Sequence, residues 1–147
     1  MATNERTINA SPETVWEVLS DGWLYPVWVV GATRMRDVDP HWPGVGAKLH
    51  HSVGVWPAAL NDDTEVIAVE ERRRLQLLAK GWPLLGEAEV VLELEPAADG
   101  TLVRIIEEPV RGPGTLLPAA VVSPMLKWRN VETLRRLGFV AEGRSQG

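Results

Sequence analysis

The sequence has no cysteine, which excludes a disulfide framework, a thiolate nucleophile and a sulfur-ligated zinc site. No apolar run approaches the roughly 18 residues a membrane-crossing helix needs. The opening Met1-Ala-Thr-Asn-Glu-Arg6 has no signal-peptide core, so a cytoplasmic protein without an integral membrane segment is expected. Basic side chains are in deficit, with 15 Lys and Arg against 20 Asp and Glu and a formal net charge of −5. A phosphate backbone wants a basic face, so no nucleic-acid partner is expected. A phosphate-cradling glycine loop is missing too. Gly44-Val-Gly46 lacks the third glycine and the Lys-Ser/Thr ending, and Gly112-Pro-Gly114 is broken by proline. Ser11, Ser20, Ser52 and Ser123 sit in no nucleophile elbow.

Phenylalanine and tyrosine are nearly absent, one of each, whereas tryptophan occurs seven times. Indole is bulky and stiff and carries one N–H that wants a partner, so it suits cavity walls as well as cores. The 147 residues make a single domain, expected over residues 1–142 with a polar tail at 143–147. With 45% hydrophobic and 24% charged residues, wholesale disorder is excluded. A chain of this length buries about 70% of its unfolded surface, enough for a core and a cavity.

Thr7-Ile8 reads as a short first strand. Ser11-Pro12 signals a helix start, with Ser11 as N-cap and Pro12 in the first turn. Val15, Val18 and Leu19 give that helix one apolar face, and Asp21-Gly22 closes it. Trp23 to Gly31 is apolar all round and interrupted by Pro26, which reads as a second helical turn running into a strand. From 33 to 108 strands and turns alternate, with a break expected at Asn61-Asp62-Asp63. The clearest strand is Glu87 to Glu95, with Ala88, Val90, Leu92 and Leu94 on one face and glutamates on the other. Asp99-Gly100 turns the chain into a returning strand, Thr101 to Glu108. Strands this close, with no helix between them, pair antiparallel. After a Pro/Gly loop from Pro109 to Pro118, Ser123-Pro124 signals a helix over Met125 to Leu137, ending at Gly138. Its expected apolar sector holds Leu126, Trp128, Val131, Leu134 and Leu137, with Lys127 and Asn130 as polar intruders. The expectation is an α+β fold: a curved antiparallel sheet of about seven strands around a long C-terminal helix, with two short helices after strand 1.

Several stretches resemble the START-like (helix-grip, Bet v 1-like) superfamily, in particular its polyketide cyclase/dehydrase and lipid-transport branch. They are Ile8-Asn-Ala-Ser-Pro-Glu-Thr-Val-Trp16, Tyr25-Pro-Val-Trp28-Val-Val-Gly31, Asp99-Gly-Thr-Leu-Val103, Glu107-Glu-Pro109 and Arg129-Asn-Val-Glu-Thr-Leu134. The likeness covers about residues 5–140 and speaks to fold more than to chemistry. It implies an apolar cavity between the sheet and the C-terminal helix. No catalytic signature unites the superfamily, so the resemblance assigns no catalytic residue.

Among candidate chemical groups, His50 and His51 are adjacent on a strand and point to opposite faces, so one imidazole can look inward. That geometry, with His41 the only other histidine, argues against a metal site. An inward imidazole is either a proton carrier or a hydrogen-bonded structural group. If Thr101, Val103 and Ile105 face inward, Glu107 follows them. Burial would then raise its pKa, which suits an acid or base, unless an ion pair holds it. The opposite phase would bury Leu102 and Ile106 and turn Arg104 inward. Lys127 and Asn130 can meet a ligand's carboxylate or keto oxygen, or serve as a snorkelling amine and a backbone-bonded amide. Tyr25 suits a cavity wall or mouth. Trp28, Trp56, Trp82 and Trp128 lie on separate elements that a shared cavity can gather around a planar apolar ligand, together with Val90, Leu92, Val103 and Ile105.

The expected function is binding of a small, largely apolar ligand such as a lipid, polyketide or aromatic metabolite, with no cofactor. The alternative is a polyketide cyclase or dehydratase that uses His50 or His51 and Glu107 as proton carriers. A weaker alternative, resembling the co-chaperone branch, needs a large exposed apolar patch instead of a pocket. A homodimer remains open.

Overall fold

The computed structural model describes residues 2–30, 32–53, 60–82, 86–116 and 118–146. Its strands are β1 (Ala2–Ile8), β2 (Ala32–Val38), β3 (Lys48–Val53), β4 (Leu60–Glu70), β5 (Arg74–Trp82), β6 (Gly86–Ala97) and β7 (Gly100–Arg111). They form one antiparallel sheet in the order β1-β7-β6-β5-β4-β3-β2. Its two edge strands, β1 and β2, are joined by α1 (Pro12–Ser20), a 3-10 turn (Gly22–Leu24) and α2 (Tyr25–Trp28). The long helix α3 (Ala119–Gln146) packs on β1, β7, α1 and α2. Register shifts interrupt the β2–β3, β4–β5, β5–β6 and β6–β7 pairings. Such irregularities bend a sheet, here around the helix. This is the expected α+β helix-grip arrangement.

Local chemistry accounts for the elements. Ser11 Oγ accepts the Thr14 N–H at 3.2 Å and Pro12 opens the first turn, while Val15, Trp16, Val18 and Leu19 turn inward. In β7, Thr101, Val103, Ile105 and Glu107 are all buried, so the phase that carries Glu107 inward is the real one. The β6–β7 hairpin ends at Gly100, whose φ is +151°. An added Cβ there would lie 2.0 Å from the Ile8 carbonyl oxygen. Only glycine permits that approach, and it seats the hairpin under the end of β1.

The structure differs from the expected boundaries in several ways. Asn61-Asp62-Asp63 does not break the chain but pairs along β3 opposite Ser52, His51 and His50. Strand propensity yields there to neighbouring strands that satisfy the backbone. The loop expected from Pro109 is shorter, because β7 runs to Arg111 and a 3-10 turn occupies Pro113–Leu116. Helix α3 starts before Ser123-Pro124 and does not stop at Gly138. A Cβ at Gly138 would stand 3.3 Å from Arg6 Nε and 3.6 Å from Ile8 Cγ1, so this glycine serves close packing of α3 on β1. Residues 143–146 are accordingly the last helical turn rather than a separate tail. The buried stripe of α3 is Leu126, Asn130, Thr133, Leu134, Leu137 and Ala141, whereas Trp128 and Val131 are exposed.

Gly100 offers a direct check of the hairpin seat. Gly100→Ala should lower stability by about 2–4 kcal/mol, read as a fall in the urea midpoint at unchanged slope. Gly138→Ala, whose nearest neighbour is the flexible end of Arg6, should cost well under half as much. Equal effects would contradict this account.

Candidate functional site

The inner face of the sheet meets α2 and α3 across a cavity of about 30 Å³. Trp28 and Val29 from the α2 side form one wall, and Leu77, Val90, Leu92 and Ile105 from β5 to β7 form the other. Its polar end is made by Tyr25, Glu107, Arg129, Asn130 and Thr133. At that volume the cavity holds a water molecule or two.

An ion pair closes the polar end. Arg129 Nη1 donates to Glu107 Oε2 at 2.9 Å, with the Glu107 side chain 1% exposed and that of Arg129 27%. Glu107 is driven inward by the strict alternation of β7, one step beyond Ile105. The same arginine donates through Nε to the Val30 carbonyl at 3.0 Å, and Val30 N–H donates to Thr133 Oγ1 at 3.4 Å. One guanidinium therefore ties β7 and α3 to the segment leaving α2. Burial pushes the Glu107 carboxyl up, against the pull of the Arg129 charge and the nearby Asn130 amide. Trp28 Nε1 and Asn130 Nδ2 are buried without a hydrogen bond of good geometry. The Asn130 amide sits close enough to Glu107 to favour its charge but is not well aligned with it.

Behind this end lies a second polar group. His51 Nε2 and Thr64 Oγ1 are 2.8 Å apart, and Tyr25 Oη reaches the same hydroxyl at a longer 3.5 Å. The Tyr25 ring stacks on His51 with centroids 5.4 Å apart and meets Trp28 edge-on, also at 5.4 Å. Burial pushes the His51 imidazole down to about 4, only partly offset by the Asp63 charge. His51 is therefore neutral at neutral pH. Burial likewise raises the Tyr25 phenol, which stays protonated. His50 points the other way, half-buried, with Nε2 3.0 Å from Asp39 Oδ1. The His50 contact and the Lys48 N–H hold the Asp39 carboxyl below its usual range.

Of the residues singled out from sequence, Tyr25, Trp28, Val90, Leu92, Ile105, Glu107 and Asn130 line the cavity. Val103 is buried in the core beside it, and His51 stands behind Tyr25. Lys127 and Trp128 do not reach the cavity. Both are exposed, Trp128 by 72%, because the inward stripe of α3 passes through Leu126 and Asn130 instead. His50 is turned toward Asp39, as alternation along β3 requires. Trp56 and the side chain of Trp82 lie outside the described residues. Sequence reasoning missed Arg129, Val29, Leu77, Ala79 and Thr133. The missing signal for Arg129 was electrostatic, since an inward Glu107 demands a cation on the facing helix. Among the described residues no group of three or more potential ligands is disposed to hold a metal.

Two measurements probe this electrostatic arrangement. Arg129→Met leaves Glu107 buried without its partner and should cost about 2–4 kcal/mol, less than for a fully buried pair because Arg129 is partly exposed. The loss should shrink as the pH falls, because Glu107 then takes up a proton and no longer buries a charge. Arg129→Met combined with Glu107→Gln should recover most of the loss, and a purely additive double variant would contradict a coupled pair. For His51, the unfolded chain takes up a proton near 6.5 and the folded chain only near 4. Between those values the unfolded state binds more protons, so this contribution is full above 6.5 and is lost as the pH falls toward 4. NMR titration should place the His51 imidazole near 4. His51→Gln should flatten the acid limb of the stability curve, and a His51 titrating at its ordinary value would contradict its burial.

Comparison with known proteins gives a consistent picture. Residues 2–142 match the family described as polyketide cyclase / dehydrase and lipid transport. No curated protein matches the chain. Among solved structures, a protein from Rhodobacter sphaeroides is 23% identical with a TM-score of 0.73, covering 96% of this chain and 91% of its own. The di-domain ARO/CYC StfQ from the steffimycin biosynthetic pathway is 12% identical with a TM-score of 0.70, and the match covers 99% of this chain but 51% of StfQ. Ara h 8.0201 is 14% identical with a TM-score of 0.69, covering 96% of both chains. At these identities the structural likeness establishes the fold, and the match over residues 2–142 identifies the chain as a member of the polyketide cyclase / dehydrase and lipid transport family.

Proposed function

We propose that this protein binds a small, largely apolar ligand between the inner face of the sheet and α3. The observation that carries this reading is the character of the cavity. Its walls are aromatic and aliphatic, and polar side chains of Tyr25, Glu107, Arg129, Asn130 and Thr133 line it as well. Apolar walls with a few convergent polar groups are the usual composition of a small-molecule site. Family membership supports the reading, as does the name of the related ARO/CYC StfQ. The cavity of about 30 Å³ lies well below the several hundred Å³ of an occupied pocket. A ligand must therefore displace α3 or the segment after α2, which Arg129 and Thr133 hold at Val30.

One observation favours an enzymatic reading as well. Glu107 reaches the cavity with a pKa raised by burial, a suitable state for a proton donor. In a cyclase or dehydratase, Glu107 would be the proton carrier that meets the ligand, with neutral His51 behind Tyr25 and His50 engaged by Asp39. Glu107→Gln that keeps ligand affinity but loses turnover would favour the enzyme.

Titration with N-phenyl-1-naphthylamine, a neutral probe that fluoresces in apolar surroundings, tests the binding reading. Fluorescence should rise and saturate at one probe per chain. Ala79→Phe, which fills the cavity from β5, should weaken binding at least tenfold while the protein stays folded. No saturable binding, or full binding by folded Ala79→Phe, would contradict it.

A further inference from the structure

The outward side of α3 carries large apolar side chains left open to solvent. Met125, Trp128 and Phe139 are exposed by 48%, 72% and 57%. Together with Glu132 and Arg135 they recur at alternating spacings of three and four residues, which keeps all five on one stripe of a helix. That stripe lies opposite Leu126, Asn130, Leu137 and Ala141, the buried residues through which α3 packs on the rest of the fold. We propose that the stripe is a dimer interface, two copies of α3 packing antiparallel about a two-fold axis. Its sequence is self-complementary in that arrangement. An axis midway between Glu132 and Arg135 sets Trp128 against Phe139 of the second copy, and Glu132 against Arg135 of the second copy. A parallel pair would instead set Glu132 on Glu132 and Arg135 on Arg135, bringing like charges together. The pairing does not depend on what the cavity holds.

Charge also decides between a second copy and a lipid surface. Arg135 donates to both Glu132 carboxylate oxygens, at 2.9 and 3.1 Å, and Arg136 donates to one of them at 3.0 Å. Arg129 pairs with Glu107, and Arg144 stands 3.9 Å from Glu17. Among the described residues of α3, Lys127 is then the one cation without an ion pair. An anionic lipid surface needs uncompensated cations, and this chain of net charge −5 offers it little. A second copy needs none, because it brings each charge of the stripe to its opposite. The Arg135 guanidinium already lies over the Phe139 ring, 5.0 Å from its centroid, which holds that ring on the stripe. Trp128 and Phe139 of both copies supply on the order of 500 Å², about half of what a specific interface needs. The rest has to come from Met125 and the stems of Arg135 and Arg136, which makes the dimer a weak one with a micromolar Kd.

Sedimentation equilibrium of the full chain, from micromolar to millimolar concentration, should show a monomer in exchange with a species of twice its mass. Arg135→Glu and Glu132→Arg each gather like charges at the axis and should raise the dimer Kd about tenfold or more. An equimolar mixture of the two should restore a dimer that holds one copy of each, with thermal melts confirming that both variants fold. Orientation is read separately. The chain has no cysteine of its own, and a Cβ at Gly143 meets nothing within 4 Å, so a nitroxide on Gly143→Cys labels one defined point. Mixed with unlabelled protein, it should broaden the Met125 methyl signal of the unlabelled copy, a result that stands even if a charge variant misfolds. A wild type that stays monomeric throughout would overturn the proposal, as would a mixture of folded charge variants that fails to pair. Broadening at Phe139 instead of Met125 would mean parallel helices and overturn it too. A monomer that floats with phosphatidylcholine/phosphatidylglycerol vesicles would give the stripe to a lipid surface instead.

Discussion

The pairing of Glu107 with Arg129 is the contact on which the arrangement of the site depends. A fully buried carboxylate at the end of a strand face is intolerable alone, and the guanidinium that answers it comes from α3. Because the same guanidinium also holds the Val30 carbonyl, the requirement to neutralise one charge fixes three elements together. Thr133, one helical turn beyond Arg129, takes the Val30 N–H, so the segment after α2 is fastened to α3 through both backbone groups of one residue. The apolar cavity lies directly inside this fastening. Its size and its polar end are thus set by the same interaction.

The surrounding fold supplies the frame for that contact. Alternation along β7 sends Thr101, Val103, Ile105 and Glu107 to one face, with no bulge in β7's pairing with β1. Gly100 seats the start of β7 under Ile8, and Gly138 lets α3 settle on β1, so helix and sheet converge at that end. Toward the other end of β7, Leu126 of α3 is buried with Ala2 and Arg129 meets Glu107, with Tyr25 and Trp28 lining the small cavity beside them. The neutral His51, stacked on Tyr25 and bonded to Thr64, backs this polar end without adding a charge.

Much of the fold could be read from local chemistry. The Ser11-Pro12 cap, the alternating glutamates of β6 and the Asp99-Gly100 turn each carry their own signal and led to the right element. Signals that depend on tertiary context were misread. Gly138 looked like a helix end because a glycine needed for close packing is locally indistinguishable from one needed for a cap. Asn61-Asp62-Asp63 looked like a turn because pairing with β3 leaves no trace in its composition. At the site, periodicity placed Asn130 in the inward sector and offered an inward Glu107 as one of two phases of β7, between which only the observed burial decides. Trp128 and Lys127 were misplaced because the apolar residues of α3 fall on two faces, and only packing against β1 and α2 says which is buried. Arg129 was invisible for a different reason: its role is defined by a partner 22 residues away.

The central claim is that the interior between sheet and α3, rather than the exposed apolar side chains of α3, receives the ligand. Isotope-filtered nuclear Overhauser measurements on the protein saturated with N-phenyl-1-naphthylamine test it directly. The account predicts transfer from the probe to the methyl groups of Leu77, Leu92 and Ile105. Transfer confined to Met125 and Val131, which lie exposed on α3, would contradict it.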